Sequence, residues 1–394
     1  MTAAVVQPDL SIVRQAESHR PLVVVFLLHT VAYGGIETIL LNWIGKLDPA
    51  RITPRLVVFA NPGHTEDAFV QVARRQGVDV RSIPWARRKP IFSSARALTR
   101  TLRELGADIV HTHNVYAEIV GYLAARKINA KVMTTLYVWA DFGFKRNIQQ
   151  WLSARLIRRF DLVSSQCQTT MDQTVARGVN PAKQRVLISG VNSKPTTLDE
   201  QTRRTRRAEK GVTDANVVLV NVARLYPEKA QDLLLRSFRR ILDARPDARL
   251  WVLGVGPLEA ELRAQASALK LDDAVTFLGF TDSLQDTLAL CDVQAHPSSA
   301  EGVPLSICEG MVAGLPIVAT RVGGVPEVVQ HESTGLLIES GDEDALVQSC
   351  IDLIDHPDRR STFGAHAQEF INQEYSLDAA VESLTKTYEE LARS

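Results

Sequence analysis

The sequence has few cysteines, and their spacing pairs none of them. The four are Cys167, Cys291, Cys308 and Cys350. A disulfide framework or a zinc knuckle requires closely spaced cysteines, so neither is expected. The pattern predicts reduced thiols in a cytoplasmic protein.

A long apolar run is also missing. The longest run near the start covers residues 22–28, whereas a membrane-spanning helix needs roughly 20 apolar residues. The polar, mixed-charge stretch before it does not resemble a signal peptide. We therefore predict that residues 22–28 form a buried strand.

The chain carries no net charge, but its two halves differ. Residues 1–200 contain 26 Lys or Arg and 15 Asp or Glu, whereas residues 201–394 contain 19 and 30. Two interpretations follow: the basic half faces an anionic partner, such as the inner face of a membrane or a phosphate-bearing acceptor, or the halves dock through opposite charge. A nucleic-acid partner is not expected, because the basic residues are spread out without interleaved aromatics.

Short apolar runs alternate with amphipathic stretches, as in parallel α/β sheets, and 394 residues predict two such domains. The predicted strands are 22–28, 55–59, 79–83, 108–112, 131–135 and 161–164 in the first half, and 217–222, 249–253, 275–278, 292–295 and 316–319 in the second. The polar segment 192–212 is the expected linker. Doubly wound sheets bind ligands at the carboxyl ends of their strands, so functional residues are expected there.

Two adjacent glycines, Gly34 and Gly35, separate the first predicted strand from a helix that starts near Ile36. Glycine lets the backbone approach a ligand, and a helix start offers unpaired amides to an anion. No GxGxxG follows the strand, which argues against a nicotinamide or flavin site. A plain tight turn is the alternative interpretation.

Two histidines, His111 and His113, end the fourth predicted strand and share one face of it. No second cluster of metal-binding residues accompanies them, so a metal site is not expected. At least one of them is expected to contact a ligand or to have a structural role.

Two cations, Arg224 and Lys229, lie between a predicted strand and a helix. Cations in front of a helix start suit a diphosphate and can replace a metal in stabilising a phosphate leaving group. A pair of surface cations is the alternative.

The segment EGVPLSICEG at 301–310 is the most informative motif. Pro304 can occupy the first helical position, so the helix directs its free amides towards Glu301 and Gly302. Glu309 lies about a turn and a half into the helix and can face the same site as Glu301. Two carboxylates suit sugar and ribose hydroxyls. The alternative is a loop charge and a solvated helix residue.

Two glycine-rich turns, at 253–259 and 321–329, follow strands in the same half. We expect them to line the nucleotide pocket and assign Gly254 of the first turn to the donor site. Plain strand-to-helix turns are the alternative.

Together these motifs resemble glycosyltransferase family 4, retaining enzymes of the GT-B architecture. The resemblance implies an α/β protein of two facing Rossmann-like doubly wound domains. These are residues 1–195 for the acceptor and residues 196–376 for the nucleotide sugar. Residues 377–394 are then a helix that packs back on the first domain.

The resemblance also implies roles for single residues. Glu301 contacts the donor sugar, Glu309 contacts the ribose hydroxyls, and His113 faces the transferred sugar across the cleft. The remaining donor-binding residues hold the sugar and the diphosphate; they are Gly34, Gly35, Arg224, Lys229, Gly302, Val303, Pro304 and Leu305. The catalytic set is His113, Glu301, Arg224 and Lys229, with no covalent nucleophile.

The sequence departs from the family pattern at two places. The family has glycine after the lysine, where this chain has Ala230, and a helix entry is expected to tolerate alanine. The family's Asn-Gly-Val-Asp is Ser189-Gly190-Val191-Asn192 here, and we expect that loop still to turn on Gly190.

The expected activity is retaining transfer of a sugar from a nucleotide-diphosphate sugar, UDP- before GDP-, in polysaccharide or glycoconjugate biosynthesis. No metal or other cofactor is expected. A hydroxyl of a glycan or of a lipid-linked molecule is the expected acceptor, and the aromatic-basic stretch 137–146 favours one near a membrane. Buried packing of Trp139, Phe142 and Phe144 explains that stretch equally well. The alternative functions are a nucleotide-sugar epimerase and a non-catalytic nucleotide-sugar-binding protein.

Overall fold

The computed structural model describes residues 20–29, 34–59, 67–84, 90–139, 144–192, 194–281 and 283–394. Within these ranges the chain forms two parallel β-sheets with helices packed against them. None of the helices in these ranges combines the length and the apolarity needed to cross a bilayer.

The first sheet has seven strands in the order β3-β2-β1-β4-β5-β6-β7. Its strands are β1 (Leu22–His29), β2 (Ile52–Phe59), β3 (Val80–Ile83), β4 (Ile109–Thr112), β5 (Lys131–Leu136), β6 (Leu162–Ser165) and β7 (Gln184–Val186). The helices between them are α1 (Gly35–Lys46), α2 (Asp67–Arg75), α3 (Ile91–Leu105), α4 (Val115–Ala125), α5 (Phe144–Ile157) and α6 (Gln168–Ala176). Strand β7 was not predicted, because only the first of its three residues is buried.

The second sheet has six strands in the order β10-β9-β8-β11-β12-β13. Its strands are β8 (Val217–Val222), β9 (Ala248–Leu253), β10 (Val275–Gly279), β11 (Val293–His296), β12 (Ile317–Thr320) and β13 (Gly335–Ile338). Its helices are α7 (Glu200–Glu209), α8 (Gln231–Ala244), α9 (Glu259–Ala268), α10 (Leu284–Leu288), α11 (Leu305–Val312), α12 (Val325–Val328), α13 (Glu343–Asp355) and α14 (Pro357–Glu374). Strand β13 was not predicted, because a four-residue run that starts with glycine is a weak strand signal.

Neighbouring residues of β1 face opposite sides of the first sheet. Phe26 packs with Trp43 of α1 in one core, and Leu27 packs with Leu98 of α3 in the other. All of these side chains are fully buried. The site-bearing loops therefore emerge from a sheet that is fixed on both faces.

The predicted linker at 192–212 is wrong for its second part, because Glu200–Glu209 form helix α7. Arg207 of this helix is buried, and its guanidinium donates to the carbonyl oxygens of Leu290, Thr213 and Asn216 at 2.6–3.0 Å. It also forms an ion pair with Asp292 at 3.1 Å. Composition alone predicts that this segment is solvated. The four partners of Arg207 allow its charge to be buried in the second domain.

The last helix, α15 (Leu377–Arg393), packs on the first domain, as predicted. Its apolar face, from Leu377 to Leu391, belongs to the core around Phe26 and Trp43. Its outer edge carries Glu389, which forms an ion pair with Arg51 of the first domain at 2.8 Å. The expected α/β fold of two Rossmann-like domains with a returning helix is confirmed.

The two domains also contact each other directly. Glu327 of α12 accepts hydrogen bonds from the amides of Gln168 and Thr169, at 2.8 and 2.9 Å. Those amides open helix α6, so a carboxylate of the second domain caps a helix of the first.

Candidate functional site

Arg224 and Lys229 lie in the loop after β8, at the carboxyl end of the strand, where the doubly wound fold predicts a site. Arg224 is half exposed, and its guanidinium lies over the Tyr226 ring at 4.8 Å. Gln231 donates to the Arg224 carbonyl oxygen at 3.1 Å and so fixes the loop. The loop therefore exposes Arg224 to solvent and buries most of Lys229.

Gly254 allows the neighbouring loop to pack on this one. Its φ is +134°, and a Cβ placed on it would lie 2.0 Å from the Ala223 carbonyl oxygen. No larger residue fits, because the clash is with backbone. The contact fixes the position of Arg224, the next residue in the chain.

Glu301 is the centre of a polar cluster that it forms with Lys229 and His296. Its Oε1 atom lies 2.6 Å from both Lys229 Nζ and His296 Nε2. Glu301 and His296 are buried, and Lys229 is largely so. Burial alone would raise the pKa of Glu301, but the hydrogen bond from His296 and the nearby charge of Lys229 lower it to about 2. The residue is a fixed carboxylate at every physiological pH.

The helix start after Glu301 is shifted by one residue from the prediction. Pro304 has ψ 113° and precedes the helix, and its carbonyl oxygen accepts from Ile307 N at 3.1 Å. The first helical residue is Leu305, because an extended Pro304 brings Val303 into the core of the second domain. The free amides of α11 still open towards the Glu301 loop.

A second glycine-rich turn supports the Glu301 loop from behind. A Cβ on Gly323 would lie 1.8 Å from the Glu301 carbonyl oxygen, and Gly323 has φ +53°. Gly324 N donates to the Gly302 carbonyl oxygen at 2.9 Å. In the structure, this turn at 321–329 contacts the Glu301 loop.

Glu309 lies in α11, eight residues after Glu301, and is partly buried. Its carboxylate makes no hydrogen bond or ion pair with the described part of the chain. Burial raises its pKa to about 7. It is therefore a carboxyl group with free acceptor capacity close to neutral pH.

The first domain supplies the opposite wall. A Cβ placed on Gly34 would lie 3.8 Å from Arg224 Cδ, so the turn before α1 faces the loop after β8. Gly34 is extended, and the space around a Cβ on Gly35 is open to 4 Å. The two motifs that the sequence assigned to the diphosphate thus meet across the interface.

His113 is buried on the same side of the first sheet as helix α1. Its Nδ1 atom lies 2.9 Å from the Tyr137 hydroxyl, whereas its Nε2 atom has no partner among the described residues. Burial lowers the pKa of His113 to about 3, so the ring is neutral. The unpaired Nε2 is available to a substrate hydroxyl.

His111, by contrast, has a structural role. Ser164 donates to a backbone carbonyl oxygen, so Thr135 donates to Ser164 and accepts from His111 Nε2 at 2.7 Å. His111 Nδ1 then accepts from the Tyr388 hydroxyl at 2.7 Å. All hydrogen-bonding capacity of the ring is used inside the protein. No group of three His, Cys, Asp or Glu residues that could hold a metal occurs in the described ranges.

Sequence analysis did not identify three residues that contact the predicted site residues. They are His296, Tyr137 and Gln231. His296 ends β11 five residues before Glu301, and its position at a strand end was an available signal. Tyr137 follows β5 in the same way. Gln231 acts through a backbone carbonyl, for which sequence gives no signal.

Family models match both halves of the chain. The model "Glycosyl transferases group 1" covers residues 202–370, and "Glycosyl transferase 4-like domain" covers residues 34–190. Both ranges contain motifs described above.

Relatives match over most of the chain. A GDP-mannose-dependent monoacylated alpha-(1-6)-phosphatidylinositol monomannoside mannosyltransferase of Corynebacterium glutamicum is 31% identical, over 89% of this chain and 93% of the relative. An N-acetyl-alpha-D-glucosaminyl L-malate synthase of Bacillus anthracis is 26% identical, over 73% and 75%. Among solved structures, Anabaena Alr3699/HepE in complex with UDP-glucose has a TM-score of 0.84 at 23% identity, over 94% of this chain and all of that one.

The family models, the full-length relative and the paired Rossmann-like domains agree, and the chain belongs to the GT-B glycosyltransferases with a family-4-like first domain.

Proposed function

We propose that the chain is a retaining hexosyltransferase that moves a sugar from a nucleoside-diphosphate sugar to a hydroxyl of a glycan or lipid-linked acceptor. The observation that carries the proposal is the ionised Glu301, held by Lys229 and His296 beside the start of α11. A buried carboxylate with a second free oxygen suits sugar hydroxyls. The helix amides and Arg224 suit the phosphates beside it.

The two cations and the helix amides act on the leaving group in this scheme. Arg224, Lys229 and the α11 amides stabilise the diphosphate as the bond from the sugar C1 to the phosphate oxygen breaks. The acceptor oxygen bonds to C1 from the same face, and its proton passes to the departing phosphate. The fixed cations supply the charge that a divalent metal supplies elsewhere, so no metal is required.

His113 positions the transferred sugar in this scheme. A ring with a pKa of about 3 is too weak a base to take a proton near neutral pH. Its unpaired Nε2 can still hydrogen-bond a sugar hydroxyl. Near-normal turnover of a His113→Ala variant would remove His113 from the site.

The donor nucleotide is the next part of the proposal. The Corynebacterium relative is named for GDP-mannose, whereas the Anabaena structures hold UDP and UDP-glucose. The higher identity of the Corynebacterium protein makes GDP-mannose the first donor to test, ahead of the UDP-sugars that the family resemblance favoured. That relative also acts on a phosphatidylinositol mannoside, which supports a lipid-linked acceptor and contact with the inner face of a membrane.

Thermal unfolding with GDP, UDP and their sugars tests the proposal. We expect one nucleotide series to raise the melting temperature, and the Glu309→Gln and Lys229→Met variants to reduce that rise. Release of nucleotide only when an acceptor is present would exclude the epimerase. Tight binding without any transfer or hydrolysis would favour the non-catalytic alternative, and no stabilisation by any nucleotide would overturn the proposal.

A further inference from the structure

Helix α5 carries an apolar patch on its outer side. Ile148, Trp151 and Leu152 are 45%, 54% and 48% exposed. Their spacing of three and four residues places them on one side of the helix. The other side, with Ala154 and Ile157, packs in the core of the first domain. Large apolar side chains clustered on a surface mark an interaction site more often than isolated ones do.

Arginines surround this patch. The Arg155 guanidinium lies 4.2 Å over the Trp151 ring. Arg155, Arg158 and Arg177 also line a groove of about 390 Å³ beside Trp151. Among the residues that the structure describes, no carboxylate lines the groove, so it is an open pocket for an anionic group.

The charge of this region is one-sided. Residues 144–160 contain five Lys or Arg and no Asp or Glu. Asp141, on the amino-terminal side, lies outside the described residues, and the first two acids on the carboxy-terminal side have other partners. Asp161 accepts from Val132 N at 2.8 Å, and Asp172 accepts from the Gln168 side chain at 2.7 Å. The arginines therefore keep their charge available for an external anion.

The aromatic-basic stretch at 137–146 is not itself the exposed aromatic surface. Trp139 is buried, and its Nε1 donates to Thr174 Oγ1 at 2.8 Å. Phe142 and the side chain of Phe144 lie outside the described residues. The exposed aromatic lies further along, at Trp151.

We propose that the outer side of α5 is a membrane-docking surface, in which Ile148, Trp151 and Leu152 enter the interface of an anionic bilayer and the three arginines contact phospholipid headgroups. A soluble phosphate would use the arginines but would leave the three apolar side chains in water. A bilayer surface satisfies both, since its interface takes up apolar side chains and its headgroups attract cations. This inference extends the lipid-linked acceptor of the proposed function.

Vesicle sedimentation tests the surface in the absence of any nucleotide. We expect the chain to bind vesicles in which about a third of the lipid is phosphatidylglycerol, and to bind pure phosphatidylcholine weakly. The partition coefficient should fall about fivefold in Arg155→Gln and about tenfold in Trp151→Ser. The control is Lys386→Glu, an exposed change on α15 at the other face of the sheet. Its vesicle binding should stay within about twofold of that of the native chain, because position 386 lies far from the charged bilayer surface.

Further measurements decide between a bilayer and other occupants of this surface. Brominated lipid should quench part of the tryptophan fluorescence, and Trp151→Phe should remove that part while keeping vesicle binding. Unchanged partitioning of both Arg155→Gln and Trp151→Ser would overturn the proposal. If vesicles are not bound, two other results would also overturn the proposal. These are self-association that Trp151→Ser abolishes, and saturable binding of inorganic phosphate. Nucleotide-induced stabilisation of the same variants should equal that of the native chain, so a failed membrane surface remains distinct from a failed donor site.

Discussion

Gly302 of the second domain lies directly against the carbonyl oxygen of Tyr137 in the first. A Cβ placed on Gly302 would be 1.9 Å from that oxygen, closer than any side chain can approach. The hydroxyl of the same Tyr137 lies 2.9 Å from His113 Nδ1. The Glu301 loop and the histidine thus share one supporting residue, which makes the alignment of the two half-sites testable.

Gly302→Ala should separate the half-sites. The added methyl group clashes with the Tyr137 backbone, so the two domains must move apart. Catalysis does not tolerate a displacement of about 1 Å between reacting groups, and we therefore expect kcat/KM to fall about 100-fold. The melting temperature should fall only slightly, because the cores on the two sheets stay closed and only the cluster in which Cys167 packs with Val303 is disturbed. Kinetics with the preferred donor and calorimetry check both statements. Gly45→Ala, on α1 with nothing within 4 Å of the new Cβ, is the control and should retain activity.

Removing a partner of Glu301 should change the pH profile. The carboxylate is ionised above a pKa of about 2 in the native chain, so activity has no acid limb from it near neutral pH. In His296→Leu, burial is less well compensated, the pKa of Glu301 rises, and activity is lost as pH falls through the raised value. We expect kcat/KM at pH 7 to fall about 30-fold or more, as for a lost hydrogen bond to a charged group.

The pH profile separates this role from mere packing. His296→Gln offers an amide donor and should restore part of the rate and lower the acid limb again. An unshifted acid limb in His296→Leu, with the same loss of rate, would show that His296 acts only on the fold.

Glu309→Gln should stabilise the protein and weaken donor binding. The raised pKa of about 7 means that the folded chain holds a proton that the unfolded chain releases above about 4.5. Stability therefore falls as pH rises from about 4.5 to 7, and the neutral amide escapes this loss of at most about 3 kcal/mol. The variant should unfold at higher temperature than the native chain at pH 8 and at a similar temperature at pH 4.5.

Binding measurements complete this prediction. The glutamine keeps only one acceptor oxygen, so nucleotide affinity should fall while stability rises. Glu104→Gln, at an exposed position on α3, should alter neither quantity. Equal stability of Glu309→Gln and native protein at pH 8 would contradict the destabilised carboxylate.

Ala230→Gly should stabilise the second domain. Ala230 has φ +51° and ψ 38°, a left-handed conformation that costs a residue with a Cβ about 1 kcal/mol. Chemical denaturation should show a gain of about 0.5–1 kcal/mol, after the entropy of the added glycine is subtracted. Ala264→Gly, at an exposed site inside α9, has the opposite expectation, a loss of about 0.5–1 kcal/mol.

Strand-to-loop spacing carried most of what the sequence could predict. Arg224 and Glu301 were placed correctly in loops at strand ends because parallel sheets bring those ends to one edge. The same logic was incomplete at Ala230: the sequence showed alanine where the family has glycine, but not that the position is left-handed. Gly190, by contrast, turns with φ +67° as expected.

Contacts between the domains were beyond the sequence. Tyr137 and Gly302 are 165 positions apart, and their contact depends on how two separate sheets face each other. Arg207 is a similar case, since this charged residue in a polar segment is buried only because four groups converge on it, and two of them, at Leu290 and Asp292, lie more than 80 positions away. Pattern and spacing describe one element at a time, whereas these positions depend on the packing of several.

The returning helix α15 has a consequence for how the chain matures on the ribosome. The hydroxyl of Tyr388 ends the hydrogen-bond chain through His111, and Leu384 and Leu391 fill the core beneath Trp43. The first domain therefore cannot close its core when its own residues emerge. It must wait through synthesis of the entire second domain, with an apolar face of its sheet uncovered until residues 377–391 arrive.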